Sequence, residues 1–215
     1  MSVRSLLDRF ENTIVRTKRA AFVAMWVLIA VQVIWTIYYC VRTRPAFSDI
    51  YYPVIFTPFA VALALTKGRV PWVATSVRLI IGIAFLENVI DRLGFIGPPG
   101  APGVSWGDFA HFVAYTAQVN AFAPAELIPA LAVLATIAEG TFALTMLLGI
   151  RVRLAAIGSA LLLFVFASAM VMSGLSEMQY GVYLMSATAW ALATVNASAL
   201  SVDARRPRSR AVRIA

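Results

Sequence analysis

The chain has 215 residues, 61% hydrophobic and 13% charged, with a mean hydropathy of +0.82, whereas soluble domains average about half apolar and about a quarter charged. Its formal charge of +8 is dispersed over the gaps between apolar stretches, where anionic lipid headgroups lie, so the basic balance points to membrane lipids and not to nucleic acid. With one cysteine, Cys40, and one histidine, His111, an internal disulfide, a CxxC redox pair, a zinc cluster and a bis-histidine haem are all excluded, so no metal is expected and any redox cofactor must be lipid-soluble or belong to a partner.

In chain order, residues 1–19 form a basic N-terminus with Arg4, Arg9, Arg16, Lys18 and Arg19. A first span is predicted over 20–41. It is too long for a signal-peptide core and lacks an A-x-A exit, so it reads as a signal anchor. Trp35, Tyr38 and Tyr39 near its end suit an interfacial aromatic belt. The second span, 51–66, is short and carries Pro53 and Pro58, which neighbouring helices can accommodate. The third is placed at 77–96, opening at Arg78.

The segment 97–125 is the one long stretch between spans on the non-cytoplasmic side. It begins Gly97-Pro98-Pro99-Gly100-Ala101-Pro102-Gly103, a turn-rich linker. Asp108 then caps a short helix running to about Phe122. Phe109, Phe112, Val113 and Ala117 are placed on one face, with Asp108, His111, Tyr115 and Gln118 on another, as for an amphipathic helix on the outer membrane surface.

Spans follow at 126–149, 153–173 and 179–200, and a basic tail occupies 204–215. Ala156 and Ala160, and Ala189, Ala193 and Ala197, are spaced so that helix backbones can approach closely in lipid. This serves packing within the bundle or a homo-oligomer interface. The sequon at Asn196 falls inside a predicted span and is discounted.

Basic residues cluster in every second gap. Lys67, Arg69 and Arg78 lie in the second gap, Arg151 and Arg153 in the fourth, and five arginines follow the last span. Cytoplasmic loops retain Lys and Arg. The fold class expected is therefore an all-α polytopic membrane bundle of about six spans, N-in and C-in. It comprises an N-terminal hairpin over 20–76 and a core over 77–203, and the location expected is a bacterial inner membrane.

Glu87 and Glu139 are the candidates for chemistry. A carboxylate near the bilayer centre costs about 3 kcal/mol on insertion scales, so each faces the bundle interior or water. Each is either a proton relay or ligand hydrogen-bonding group, or a structural hydrogen bond between helices. Asp91 lies one turn after Glu87 and forms either a polar funnel towards it or a surface pair neutralised by Arg92. His111 and Tyr115, at i and i+4, are candidates to bind a quinone head. Arg78 is expected to snorkel to phosphates.

The stretch Arg78-Leu79-Ile80-Ile81-Gly82-Ile83-Ala84-Phe85 resembles the first core helix of DoxX/DoxD-like membrane proteins. Glu139-Gly140, the run Leu147-Leu148-Gly149-Ile150-Arg151-Val152-Arg153-Leu154-Ala155-Ala156 and the closing Ala199-Leu200-Ser201-Val202-Asp203 are similar to that family's later motifs. The resemblance covers roughly 77–203. It implies a four-helix membrane core, and it makes Glu139 and Arg78 family-pattern positions. Some members are small subunits of thiosulfate:quinone oxidoreductase. Where the family often has Gly-x-x-Lys, this chain has Glu87-Asn88-Val89-Ile90-Asp91-Arg92.

The resemblance implies a membrane subunit of a quinone-linked oxidoreductase assembly. On that reading Glu87, Glu139 and Asp91 handle protons or ligand, and His111, Tyr115 and Arg78 contact the quinone. The alternatives are a non-catalytic scaffold for a larger membrane complex and a small-molecule or proton transporter.

Overall fold

A computed structural model describes Arg9, residues 12–174 and residues 179–202. The predicted basic tail lies outside the described residues. After a helical stretch at residues 12–16, seven α-helices run among the described residues in the order α1 (Lys18–Thr43), α2 (Phe47–Thr66), α3 (Pro71–Arg92), α4 (Phe109–Val119), α5 (Ile128–Leu148), α6 (Val152–Met172) and α7 (Gln179–Ala193). A single 3-10 turn, Ala125–Leu127, leads into α5, and the described residues contain no strand.

The protein is a helical membrane bundle. Helices α1, α3, α5 (with its leading 3-10 turn) and α6 are long and apolar enough to cross a bilayer, and α2 adds a shorter apolar run, Ile50–Thr66. A membrane permits such helices because each satisfies its own backbone hydrogen bonds. Pro53 and Pro58 sit inside α2, where each removes one backbone donor.

Two boundaries differ from the sequence reading. Helix α3 starts at Pro71, in the first helical turn, where a missing N–H costs nothing. Arg78 therefore lies about two turns inside the helix instead of opening it. Helix α7 stops at Ala193, which leaves residues 194–202 largely non-helical, with Asn196 outside any helix.

Helix α7 packs chiefly on α6 and α1, and α3 packs on α5. The small residues make the first contact possible. Ala156, Ala189 and Ala193 are fully buried, and Ser186 Oγ donates to the Ala160 carbonyl at 2.7 Å. In the α5–α6 contact, Gly158 leaves room for the Phe142 ring.

The basic gaps gather at one end of the bundle. Trp190 Nε1 donates to Thr17 Oγ1 at 2.9 Å. Gly68 lies against Val195, and Arg153 Nε donates to the Ala193 carbonyl at 3.1 Å. Short connections make successive neighbours antiparallel, so the 93–127 segment sits at the opposite end.

Gly149 closes α5 in the left-handed region (φ 68°) and packs against Ser201 and Arg78, which an added Cβ would overlap. Gly149→Ala is therefore expected to cost about 1–3 kcal/mol, from backbone strain together with this overlap. The change should appear as a lower midpoint in thermal unfolding of the detergent-solubilised protein, and an unchanged midpoint would contradict this packing.

Candidate functional site

Arg92, the last residue of α3, is 1% exposed. Its Nη2 lies 3.0 Å from Glu139 Oε2, in the middle of α5. Nη1 donates to Thr136 Oγ1 at 3.1 Å, and Nε donates to the Asn88 carbonyl at 3.0 Å. The guanidinium carbon sits 3.7 Å from the Phe112 ring centroid and 5.0 Å from that of Trp106. Such stacking on aromatic faces is characteristic of arginine. The intramembrane carboxylate at 139 is thus matched by a charge and roofed by aromatic rings.

Asp91 does not pair with Arg92 at the surface, as one of its two sequence readings proposed. It is 3% exposed and accepts the backbone N–H groups of Ser105 (2.9 Å), Trp106 (3.0 Å) and Gly107 (3.2 Å). Gly107 has φ 72° and lies against the Pro98–Pro99 backbone, so only glycine fits there. Asp91 in this way anchors the proline-rich loop and places Trp106 over Arg92.

Helix α4 completes the roof. Asp108 caps it as expected, accepting from the His111 N–H at 2.8 Å. Its buried face is Phe112, Thr116 and Val119, whereas the predicted apolar face joined Phe112 to Phe109 and Val113, which are half-buried, and Ala117, which is exposed. Ser173 Oγ donates to the Val119 carbonyl at 2.6 Å and ties down its far end.

Glu87 is separate from this arrangement. It lies in the last two turns of α3, nearer the helix end than the predicted mid-span position. Tyr51 Oη donates to Glu87 Oε1 at 3.2 Å, and Tyr52 Oη donates to Oε2 at 2.9 Å. These three side chains form the polar corner of a cleft of about 270 Å³ between α2, α3 and α7. Ile55, Phe56, Ile80, Ile83, Ala84 and Met185 make the remaining wall. Ile55 and Ile83 are about half exposed on the outer surface of the bundle, so the cleft opens towards lipid.

Of the sequence-derived candidates, Tyr115 lies within reach of the Glu139 charge, but Glu87, His111 and Arg78 are not gathered with them. Glu87 and Glu139 have different partners, and the cleft at Glu87 does not include Glu139. His111 turns its ring back to Asp108, with Nδ1 at 2.8 Å from Oδ1, and remains largely exposed. Tyr115 packs near the Trp106 ring, with centroids 5.6 Å apart. Burial first, and then the Glu139 charge, raise its phenol pKa. Arg78 does not snorkel to phosphates. It is 0% exposed at the basic end, where it donates to the carbonyls of Ala197 (2.9 Å) and Leu200 (3.2 Å). It is therefore remote from His111 and Tyr115.

Sequence reasoning missed Tyr51 and Tyr52. Two adjacent tyrosines at the start of a span carry the ordinary signal of an interfacial belt. Their partner Glu87 is too distant in sequence for spacing to reveal it. A second concavity, of about 190 Å³, lies at the basic end beside Arg151, Arg153, Asn196 and Ser198. No group of three or more His, Cys, Asp or Glu with metal-binding geometry occurs among the described residues. Comparison with known proteins found no matching family model, no matching curated protein and no matching solved structure.

Breaking the buried pair should be costly and removing it whole should not. Arg92→Met or Glu139→Met alone is expected to destabilise by about 3–5 kcal/mol, because the remaining group loses its partner in a dry site. The double variant R92M/E139M should recover most of that loss in thermal or denaturant unfolding. A double variant as unstable as the sum of the singles would show that the two side chains do not act as a pair.

The α4 cap predicts a pH dependence. The His111 N–H, and then its ring, hold the Asp108 carboxyl below the usual carboxylate range. A depressed folded-state pKa contributes stability that is present above the unfolded value and is lost as pH falls through the folded value. Amide-exchange protection at His111 should therefore decline on acidification through and below the carboxylate range. In Asp108→Ala it should be low throughout, and a pH-independent wild-type profile would discount the cap.

Proposed function

We propose that the protein is a DoxX-like membrane subunit of a quinone-linked oxidoreductase assembly, with the Glu87 cleft as the seat of the quinone head. The observation that carries this reading is the Tyr51–Tyr52–Glu87 corner in an otherwise apolar, lipid-facing cleft. Ligand sites of this kind combine a mostly hydrophobic lining with a few convergent polar groups. A quinone has that division, a polar ring on an apolar tail, and it reaches such a cleft through the bilayer. The oxidoreductase part of the reading comes from the resemblance over 77–203. It places the electron-donating, substrate-oxidising chemistry in a partner subunit and the electron-accepting quinone in this one.

The gathering of Lys67, Arg69, Arg151 and Arg153 at one end supports a cytoplasmic orientation for that end. The Glu87 cleft and α4 then belong to the opposite half of an inner-membrane protein. The closed state of the Arg92–Glu139 pair favours a structural part for Glu139, and it is the specific observation behind the second reading, a non-catalytic scaffold. On that reading the α4 roof is a rigid surface for other subunits.

Protein extracted gently from its own membrane should carry quinone in stoichiometric amount. Ile83→Trp, which fills the mouth of the cleft, should retain about tenfold less in either redox form, with an unchanged unfolding midpoint. Full quinone retention by that variant would remove the cleft from the function and leave the scaffold reading.

A further inference from the structure

Resting on the quinone-linked reading, we infer that the Tyr51–Tyr52–Glu87 corner selects the reduced form of its ligand: it holds a lipid-soluble quinol in preference to the corresponding quinone. The argument is a count of donors and acceptors. Both phenols direct their protons at one carboxyl, one to each oxygen. A carboxylate offers about four lone-pair sites, so two stay open beside the tyrosines. A ligand hydroxyl adds a bond to Glu87 without displacing either phenol. That bond is charge-assisted, roughly twice as strong as a neutral one.

A quinone brings only carbonyl acceptors. To be recognised it must draw a phenol proton away from Glu87, exchanging a charge-assisted bond for a neutral one. The corner therefore favours a ring that donates. The surroundings agree with a ring of this size. The volume of about 270 Å³ admits a substituted ring but not a long tail, which leaves past Ile55 and Ile83 into the acyl chains.

The site is built by this chain's own additions. Tyr51 and Tyr52 come from the N-terminal hairpin, outside the stretch that resembles DoxX proteins, and Glu87 stands where the sequence departs from that family's pattern. It is also independent of the buried pair. Residues 87 and 92 are five apart, about 140° around the helix, so Glu87 and the Arg92–Glu139 pair occupy different sides of α3.

The test uses the full chain in phosphatidylcholine nanodiscs under argon, titrated with decylubiquinol, decylubiquinone and the O,O-dimethyl ether of the quinol. The quinol should bind about tenfold more tightly than the quinone, the effect of one hydrogen bond to a charged group. The dimethyl ether should lose that advantage, a comparison that needs no variant. Glu87→Gln should abolish the preference, and Ile83→Trp, which fills the cleft mouth, should weaken both ligands together. Equal wild-type affinity for quinol and quinone overturns the inference while leaving the quinone-linked reading in place. Binding of neither ligand overturns both.

Discussion

A charged arginine and a glutamate held between apolar helices constrain everything around them. Neither ion tolerates the hydrocarbon region alone, and removing one strands the other. The guanidinium reaches Glu139, Thr136 and the Asn88 carbonyl together. This fixes where α3 ends relative to the middle of α5. Its remaining flat face is closed by Phe112 and Trp106. The external loop and α4 are therefore part of the bundle, held over the pair by Asp91 and Ser173.

Against that fixed frame, the two glutamates of the membrane region have opposite settings. Glu139 meets a full opposite charge under an aromatic roof. Glu87 meets two neutral phenols beside a cleft that opens to lipid. Two neutral phenols give that carboxyl hydrogen bonds but no opposing charge. That contrast makes Glu139 the group that organises the fold, and it is why the proposed ligand site is placed at Glu87.

Much of the architecture was legible in the sequence because membrane constraints act residue by residue. Long apolar runs marked α1, α5 and α6 closely. Asp108 marked the cap of α4, and the spacing of lysines and arginines matches the end where residues 17, 68, 153 and 193–201 meet. What escaped is long-range pairing. The spacing of Asp91 and Arg92 makes a local pair natural, yet a helix turns adjacent residues about 100° apart, and Arg92 found Glu139 on another helix while Asp91 found a loop. A helix starting at residue 77 puts Arg78 at the membrane interface, where snorkelling is natural. With Pro71 as its first residue, Arg78 lies too deep for solvent and instead holds the segment after α7. Tyr51 and Tyr52 gave only an interfacial signal, since nothing local ties them to Glu87.

The most direct measurement is an experimental structure of the full chain in lipid with decylubiquinol present. The account predicts ligand density against Glu87, Tyr51 and Tyr52, with Arg92 and Glu139 still paired beneath Phe112 and Trp106. Ligand density against Arg92 or Glu139, with α4 displaced and the Glu87 cleft filled by lipid alone, would contradict it.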